Sequence, residues 1–423
     1  MKKVVMVTLF PLFLEAQSIP QLFSALKAHA QIKADTMLVK KSEVQKSMVE
    51  SALYPKVELF ASYDNYNEAT GMLPVPPNTL MSMVKDQSVA QPFSNNIYRA
   101  GGKFTMPLFV KSIYTTAKKA EAMQRSAKAK KQIAILKNEA LIVGANANFH
   151  YLVSLQKALD GKEKSLLITQ KTLKIKVNNG RSPASALYKI NDSLNEVAIA
   201  KNNIELQKKK LISSIESLTG IILNKPVDMH EIATYTKGAF GSLKPLEEKI
   251  RADRINVTSQ KEKLYPALYA HGSYTFSKAK AYNNNKNINE KYGDVGVVLN
   301  IPLFDKHQYK SIDLAKVELQ SSEVELEKLQ EELGSQAQML ENSLPLLENS
   351  LKLYEQSVKN KEQLLKIAKV SYETGRLSTE EYLRYEDAVV AQKANLYKTK
   401  ATKWQTLMQL AVIYGNNIEE MVK

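Results

Sequence analysis

Histidine, cysteine and paired carboxylates carry most metal binding and catalysis in proteins, and this sequence does not arrange them as a site. Its five histidines lie in separate segments, with no two at metal-ligand spacing: His29, His150, His230, His271 and His307. The chain has no cysteine, which excludes disulfides, thiolate metal sites and a cysteine nucleophile. A phosphate-binding glycine loop, a nucleophile elbow and a zinc signature are also missing from the sequence. We therefore predict that the protein is not an enzyme and uses no metal or cofactor.

Two short segments instead combine glycine, arginine, aromatic and acidic residues. The first, VNNGRSPASALYKI, runs from Val177 to Ile190, and the second, SYETGRLSTEEYLRYED, runs from Ser371 to Asp387. Glycine adopts left-handed backbone conformations easily, so each segment predicts a tight turn between two helices. Such a turn is a candidate docking site for another protein, and the alternative is a helix cap without a binding role.

The two segments belong to two copies of one longer pattern. GGKFTMPLF at 101–109 corresponds to GVVLNIPLF at 296–304, an offset of 195 residues (296 minus 101). The same offset relates NGR at 179–181 to TGR at 374–376, and LTG at 218–220 to IYG at 413–415. The chain is therefore an internal tandem duplication.

Each copy reads as helix, strand, loop, strand, long helical stretch, turn and helix. We predict repeat 1 at 17–225, with strands at 56–66 and 96–107 and helices over 110–219. Repeat 2 is predicted at 243–423, with strands at 267–277 and 291–302 and helices over 305–414, after a linker at 226–242. Residues 20–53 predict the first helix, and the proline-rich stretch between the first two strands predicts a loop.

The predicted strands alternate between apolar and polar side chains. Val57, Leu59 and Tyr63 alternate with Glu58 and Asp64, for example. This pattern is typical of strands in a transmembrane β-barrel, and an ordinary half-buried hairpin would show it as well. An antiparallel barrel needs about eight strands, so the four strands of one chain predict a barrel shared by several copies.

The last helix of each copy has the three-four spacing of a coiled coil. We call the stripe of residues at this spacing a seam. In the first copy, Lys201 and Lys208 occupy its two polar positions. Its apolar members are Leu187, Ile190, Leu194, Val197, Ile204, Leu211, Ile215 and Leu218. The second copy has two adjacent seams, which indicates neighbours on both sides, as in a helical barrel or the core of a bundle. Within the long helices we expect breaks at Gly144, Gly334 and Pro345.

The first residues predict export. Lys2 and Lys3 precede an apolar run from Val4 to Leu14, and Ala16 fits a cleavage position, so 1–16 is predicted as a signal peptide. This run is too short for a membrane-spanning helix, and no later segment is long and apolar enough, so a membrane-spanning mature chain would have to form a closed barrel. The net charge of +16 is spread along helical segments, which favours solvated helix faces over nucleic-acid binding.

Together these features resemble the TolC-like outer-membrane efflux protein family. The resemblance extends over nearly the whole chain after the signal peptide, from YP at 54–55 through the PLF phrases to the two glycine turns and the helix ends. It implies a mixed α and β fold, mostly α, in a homotrimer. Its four strands per chain would complete a 12-stranded transmembrane β-barrel, and its long antiparallel coiled-coil helices a helical barrel. Pro107 and Pro302 would mark the junctions from strand to helix, where the missing amide hydrogen is tolerated.

The resemblance also implies a function. Such a protein is a channel in the outer membrane of a Gram-negative bacterium, with a helical extension in the periplasm. It passively conducts substrates in efflux or type I secretion. The implied partners are two further copies, a periplasmic membrane-fusion adaptor, an inner-membrane transporter and outer-membrane lipid, but no nucleic acid. The long heptads alone would permit another class, a periplasmic coiled-coil scaffold without a pore.

In this family the two glycine turns form the periplasmic tip. The resemblance implies that an adaptor docks there, so the docking candidates are Gly180, Arg181, Gly375 and Arg376. The tip is also where such channels open.

Counting from Gly375, the family's gate tyrosine falls on Tyr372 and its two acidic gate positions fall on Glu381 and Arg384. Arg384 reverses the charge at one of them, and the gating aspartate of the first tip is replaced by Ala186. Glu381 and Arg384 are three residues apart, so we expect them to pair as a latch. The alternative is a surface ion pair of little energetic value.

Overall fold

The computed structural model describes residues 18–423, so the signal peptide predicted at 1–16 lies outside the described residues. The described chain forms two compact units, and each unit draws on both repeats. The helical unit comprises 18–39, Ala127–Pro245 and Glu325–Lys423, and the sheet unit comprises Lys40–Ser126 and Leu246–Val324.

The sheet unit contains four antiparallel strands in the order β1-β2-β3-β4. Their bounds are Lys56–Gly71, Phe93–Phe109, Ala267–Lys280 and Asn287–Asn300. β1 joins β2, and β3 joins β4, at what we call the loop end of the sheet. At this end all four strands extend beyond the predicted bounds, whereas β4 ends two residues before the predicted 302. β1 and β4 are the two edges of the sheet.

One face of the sheet, which we call the open face, carries apolar and aromatic side chains. Val57 pairs with Phe104, and Tyr63 pairs with Tyr98. Two of its side chains are almost fully exposed in the single chain, Leu59 at 88% and Val295 at 83%. Because exposed aliphatic side chains are costly in water, this face requires an apolar environment or a partner.

The opposite face, which we call the ionic face, holds paired charges. Lys103 Nζ lies 3.0 Å from Glu58 Oε2, and Arg99 Nη1 lies 2.6 Å from Asp64 Oδ2. Strand alternation therefore separates a mostly apolar surface from one that holds ion pairs, as the period of two predicted.

The connection between β1 and β2 contains a helix, α3, at Pro77–Lys85. The sequence predicted only a loop there, and that prediction is wrong. A helix of nine residues is too short to show a sustained hydrophobic period, but proline at its first turn is a recognised start signal.

The predicted first helix at 20–53 is interrupted. It forms α1 at Ile19–Ala28 and α2 at Ala30–Ser51, with His29 between them in an extended conformation, φ −76° and ψ 160°. The His29 carbonyl oxygen accepts from the Lys33 amide at 3.0 Å and so starts α2. No glycine or proline marks this break, which explains why the sequence pattern did not reveal it.

Four long helices follow the strands in matching pairs. The first pair is α4 at Lys111–Asn178 and α5 at Ala184–Thr219, and the second pair is α7 at Lys306–Glu373 and α8 at Thr379–Tyr414. A shorter helix, α6 at Lys244–Glu262, lies between the two pairs in the sequence. No helix within residues 18–423 is both long enough and apolar enough to cross a membrane.

The breaks expected at Gly144, Gly334 and Pro345 are absent, since α4 and α7 continue through these positions. A glycine costs a helix about 1 kcal/mol and a proline about 3 kcal/mol, and packing of the adjacent residues offsets such costs. Leu344 packs against the main core cluster, and Leu340 is buried in a second one.

Leucines at heptad spacing on α4 pack against α5. Leu152, Leu159, Leu166 and Leu173 share a buried cluster with Ile190, Val197 and Ile204. Both polar positions of the seam are satisfied. Lys201 Nζ lies 2.8 Å from Asp160 and from Glu163, and Lys208 Nζ lies 3.0 Å from Gln156 Oε1. The seam predicted from the first copy therefore joins α4 and α5 side by side.

The two prolines of the PLF phrases lie at different points. Pro107 is inside β2, next to an irregularity of the β2–β3 pairing between Pro107 and Phe109. Pro302 follows the end of β4 and precedes the first residue of α7. Proline has no amide hydrogen for a strand ladder, so it fits a bulge or a position beyond the strand.

Candidate functional site: the two turns between long helices

Turn 1 (179–183) joins α4 to α5, and turn 2 (374–378) joins α7 to α8. Both begin in the same way. Gly180 and Gly375 have φ of +65° and +76°, and no atom would lie within 4 Å of an added Cβ at either position. The next residue in each turn, Arg181 or Arg376, donates its amide to the carbonyl five residues earlier at 2.8 Å. Each glycine is therefore required by backbone conformation and caps the preceding helix.

The turns differ in how the second helix starts. Pro183 precedes α5 without a side-chain cap. Ser378 precedes α8 and forms a capping box, in which Ser378 Oγ accepts from the Glu381 amide and Glu381 Oε2 accepts from the Ser378 amide at 2.9 Å. These two bonds satisfy amides that would otherwise lack partners, so the first turn of α8 is better held than that of α5.

We call α4 and α5 with turn 1 one helical hairpin, and α7 and α8 with turn 2 the other. Behind turn 2, a tyrosine of α7 stacks on a tyrosine of α8. The rings of Tyr372 and Tyr382 are 4.9 Å apart and inclined by 17°, and Lys176 Nζ lies 5.9 Å from the centre of the Tyr372 ring. Tyr382 is 1% exposed, which makes it the largest fully buried side chain among the described residues. The predicted gate tyrosine, Tyr372, therefore covers a buried tyrosine that the sequence did not single out.

The Tyr382 hydroxyl belongs to a hydrogen-bonded cluster that links α8 to α4. It donates to Glu386 Oε1 at 2.6 Å and lies 2.8 Å from Ser165 Oγ. Ser165 Oγ donates to the same Glu386 oxygen at 2.6 Å. Burial, and secondly the bond to the Glu386 carboxylate, raise the pKa of Tyr382 well above its usual value, so the phenol stays protonated and donates. Asp387, the residue after Glu386 on α8, pairs with Lys162 of α4.

At the surface, one carboxylate connects the two hairpins. Glu380 Oε2 accepts from Lys189 Nζ of α5 at 2.7 Å, and Glu380 Oε1 accepts from Arg384 Nη2 at 3.0 Å. The bond from Lys189, and then that from Arg384, lower the pKa of Glu380 below its usual range. Glu380 is therefore ionised near neutral pH and is shared by two cations.

The expected pairing of Glu381 with Arg384 does not occur in the structure. The Glu381 carboxylate is used in the capping box with Ser378, and Arg384 bonds Glu380 one helical turn away. The prediction is wrong because three-residue spacing places two side chains on one face but does not decide between competing partners. Glu381 and Arg384 instead line an open cleft of about 340 Å³ beside Tyr385.

The remaining predicted positions are distributed around the turns. Arg181 and Arg376 are exposed, and Ala186 packs at the edge of the cluster between α4 and α5. Leu383 of α8 is buried in that same cluster, so the two hairpins share apolar as well as polar contacts.

Sequence reasoning missed Ser165, Lys189, Glu380, Tyr382 and Glu386. Two patterns in the sequence could have indicated part of this site. They are the serine and glutamate spacing of a capping box, and the four-residue spacing of Tyr382 and Glu386 on one helix face. The link to Ser165 was not readable, because 217 residues separate it from Tyr382.

Comparison with known proteins agrees with this architecture. Residues 242–416 match the family model described as outer membrane efflux protein, a range that covers α6 to α8. No curated protein matches the chain significantly.

Several solved structures share the fold over nearly the whole chain. The CmeC outer membrane channel of Campylobacter jejuni has a TM-score of 0.76 at 15% identity, covering 94% of this chain and 85% of that one. The outer membrane protein VceC of Vibrio cholerae has 0.75 at 14% identity, covering 94% and 96%. The MtrE outer membrane channel of Neisseria gonorrhoeae, in its open state, has 0.74 at 12% identity, covering 94% and 89%. The resemblance inferred from the sequence is thereby confirmed, and at these identities the solved structures establish the fold alone.

Proposed function

Because its second repeat matches the outer membrane efflux protein family and its fold is that of outer-membrane channels, we propose that this protein is an outer-membrane channel-tunnel. It passively conducts substrates from an inner-membrane pump and its periplasmic adaptor to the exterior of a Gram-negative cell. The energy for transport comes from the pump, since the chain offers no site for nucleotide or redox chemistry in its sequence.

The observation that carries this proposal is the incomplete sheet. β1 and β4 are long edge strands, and the open face leaves Leu59 88% exposed. In lipid, every backbone amide and carbonyl needs a partner, so a sheet with two free edges is unstable there. Pairing β4 of one copy with β1 of the next in a homotrimer gives twelve strands, removes the edges and turns the open face toward lipid.

The helical unit fits the same assembly. α8 buries residues of both seams, Val389, Leu396, Leu410 and Ile413 of the first and Ala401, Met408 and Ala411 of the second. Long helices with two adjacent seams stabilise a closed helical wall, which extends the conduit through the periplasm. The competing proposal, a coiled-coil scaffold without a pore, requires neither the four strands nor their exposed apolar face.

We assign the opening of the conduit to the hairpin turns. In the closed tip, the bond from Lys189 to Glu380 at the surface and the bond from Ser165 to Glu386 inside hold the two hairpins together, while Arg384 bonds Glu380 within α8. Opening separates α8 from α4 and α5 and breaks both sets of bonds. Tyr372 stays with Tyr382 on the moving hairpin.

The adaptor docks on the exposed turns that contain Gly180 and Gly375. Arg181 and Arg376 project next to the two left-handed glycines and present cations to a partner. A charge-assisted contact with a carboxylate of the adaptor suits the guanidinium group, which donates two parallel hydrogen bonds. The double variant R181A/R376A should therefore lose capture of the adaptor while it keeps its conductance.

Fractionation of the cell envelope tests the function. We expect the mature untagged protein in the outer membrane, extractable only by detergent, as a trimer that conducts ions in planar bilayers. Recovery as a soluble periplasmic protein would refute the channel and support the scaffold.

A further inference from the structure

The open face of the sheet has an unusual distribution of charge. Among its paired positions in the four described strands, the charged residues are three lysines, Lys278, Lys280 and Lys291. All three are exposed. They lie at the loop end, because Lys278 and Lys280 are near the end of β3 and Lys291 is near the start of β4.

Carboxylates at paired positions lie on the other side of the sheet. They are Glu58, Asp64, Glu290 and Asp294, all on the ionic face. Glu58 and Asp64 already bond Lys103 and Arg99 there. At the paired positions of the described strands, the three lysines therefore share their face with no carboxylate, and their charge is available to an anion from outside. Glu68 of β1 is unpaired and lies in the irregularity between Asn65 and Thr70.

The register places these ammonium groups close to one another. Lys278 pairs with Asn289, and Lys280 pairs with Asn287. Lys291 pairs with Phe276, and its Nζ lies 5.6 Å from the centre of that ring. Residues two apart on a strand, and diagonal neighbours on adjacent strands, are about 7 Å apart. One anionic group can thus contact two of the lysines at a time.

Two adjoining clefts surround the lysines. One, of about 750 Å³, is lined by Tyr63, Tyr98, Lys278, Lys280 and Asn287. The other, of about 520 Å³, shares Tyr98 and Lys278 and adds Phe276 and Lys291, and Arg99 and Glu290 of the ionic face also line it. Aromatic rings and amides therefore flank the positive charges, and the clefts are large enough for the headgroup of a lipid.

The open face changes character in order from one end to the other. At the end opposite the loop end it is aliphatic, with Leu59 and Val295. Toward the loop end the face becomes aromatic and basic together: Phe276 pairs with Lys291, Tyr98 pairs with both Tyr63 and Lys278, and Lys280 lies two residues further along β3. Aromatic belts lie at the membrane–water interface, and basic residues beyond them contact anionic headgroups.

We infer that Lys278, Lys280 and Lys291 form a binding site for the phosphate groups of a phosphorylated glycolipid in the outer leaflet. The lysines bind phosphate, the tyrosines and asparagines contact the sugar, and the acyl chains lie on the aliphatic part of the open face. This inference rests on the proposed function, which puts the open face in lipid and the loop end at the cell surface. A soluble anion would gain nothing from the aliphatic surface that continues below the lysines.

Native mass spectrometry of the full mature protein in detergent tests the inference, with diphosphorylated lipid A and its dephosphorylated counterpart as probes. The variant K278Q/K280Q/K291Q removes the three charges. The control K352Q/K359Q/K366Q removes three exposed lysine charges from α7. Since each lysine at an anionic lipid surface contributes roughly fivefold, we expect the first variant to bind lipid A about 100-fold more weakly at low salt. The control should bind as the wild type does, and the dephosphorylated lipid should bind all three proteins equally weakly.

Unchanged binding of lipid A by K278Q/K280Q/K291Q would overturn the inference, as would equal binding of the two lipids by the wild type. Complete displacement of lipid A by inorganic phosphate would also overturn it, because the site would then recognise a free anion. Membrane fractionation and conductance separate this failure from failure of the proposed function. A variant that reaches the outer membrane and conducts normally, but binds lipid A like the wild type, refutes the lipid site alone. A wild-type protein absent from the outer membrane refutes both.

Discussion

Replacing Ser165 with alanine removes one hydroxyl that links α4 to α8 behind turn 2. Its Oγ donates to Glu386 Oε1 at 2.6 Å and lies 2.8 Å from the Tyr382 hydroxyl. Glu386 is 5% exposed, so little water can replace the lost donor. A hydrogen bond to a charged group contributes about 1.5–3 kcal/mol, and we expect S165A to weaken the contact between the hairpins by about 2 kcal/mol.

In the proposed channel this bond exists only in the closed arrangement. A loss of about 2 kcal/mol then shifts the equilibrium toward the open state about 30-fold. The assay is the open probability of single channels in planar bilayers. S343A is a matched control, because Ser343 is half-buried on α7 and its hydroxyl donates to the Met339 carbonyl within the same helix.

A double-mutant cycle shows whether the effect comes from this bond. S165A and E386Q both disrupt it, so their combined effect should fall short of the sum by about 2 kcal/mol. Additive effects, or an open probability for S165A equal to that of the wild type, would refute the reasoning.

Two further predictions concern stability in denaturant. Gly180 and Gly375 have left-handed φ, so alanine at either position should destabilise the protein by about 1 kcal/mol or more. G161A is the control, because Gly161 lies inside α4 with open space around it and alanine favours helix. If G161A lost as much stability as the two turn variants, this explanation would be contradicted. Glu139 is buried, and burial raises its pKa to about 7. Between about pH 4.5 and 7 the unfolded chain releases this proton while the folded chain keeps it. The free energy of unfolding therefore falls by on the order of 2–3 kcal/mol as the pH rises through this range. E139Q should make the denaturant midpoint of unfolding nearly independent of pH over this range. An unchanged dependence of the midpoint on pH would show that Glu139 is not its cause.

The periodic features of the fold could be predicted from the sequence. The heptad that contains Lys201 and Lys208 predicted packing along α5, and alternation at 57–64 predicted two different sheet faces. Periodicity worked because each element repeats the same environment over many residues. It failed at single positions, such as His29, where the chain breaks without a breaker residue, and Pro345, where packing maintains a helix that local propensity opposes.

The site was harder to predict than the fold, because its bonds join distant segments. Register from Gly375 located Tyr372 but gave no indication of its partner Tyr382. The pairing expected between Glu381 and Arg384 failed because Ser378 and Glu380 compete for the same groups. Spacing along one helix defines a face, whereas the choice among several partners on it depends on caps and on neighbouring helices.

The unequal start of α5 and α8 has a dynamic consequence. Both turns close the preceding helix alike, but Ser378 and Glu381 protect the first amides of α8, while Pro183 offers no side-chain acceptor to those of α5. Unprotected terminal amides open and exchange with solvent first. The two hairpins are therefore not equivalent, and the proposed trimer would alternate three slowly exchanging tips with three that fray.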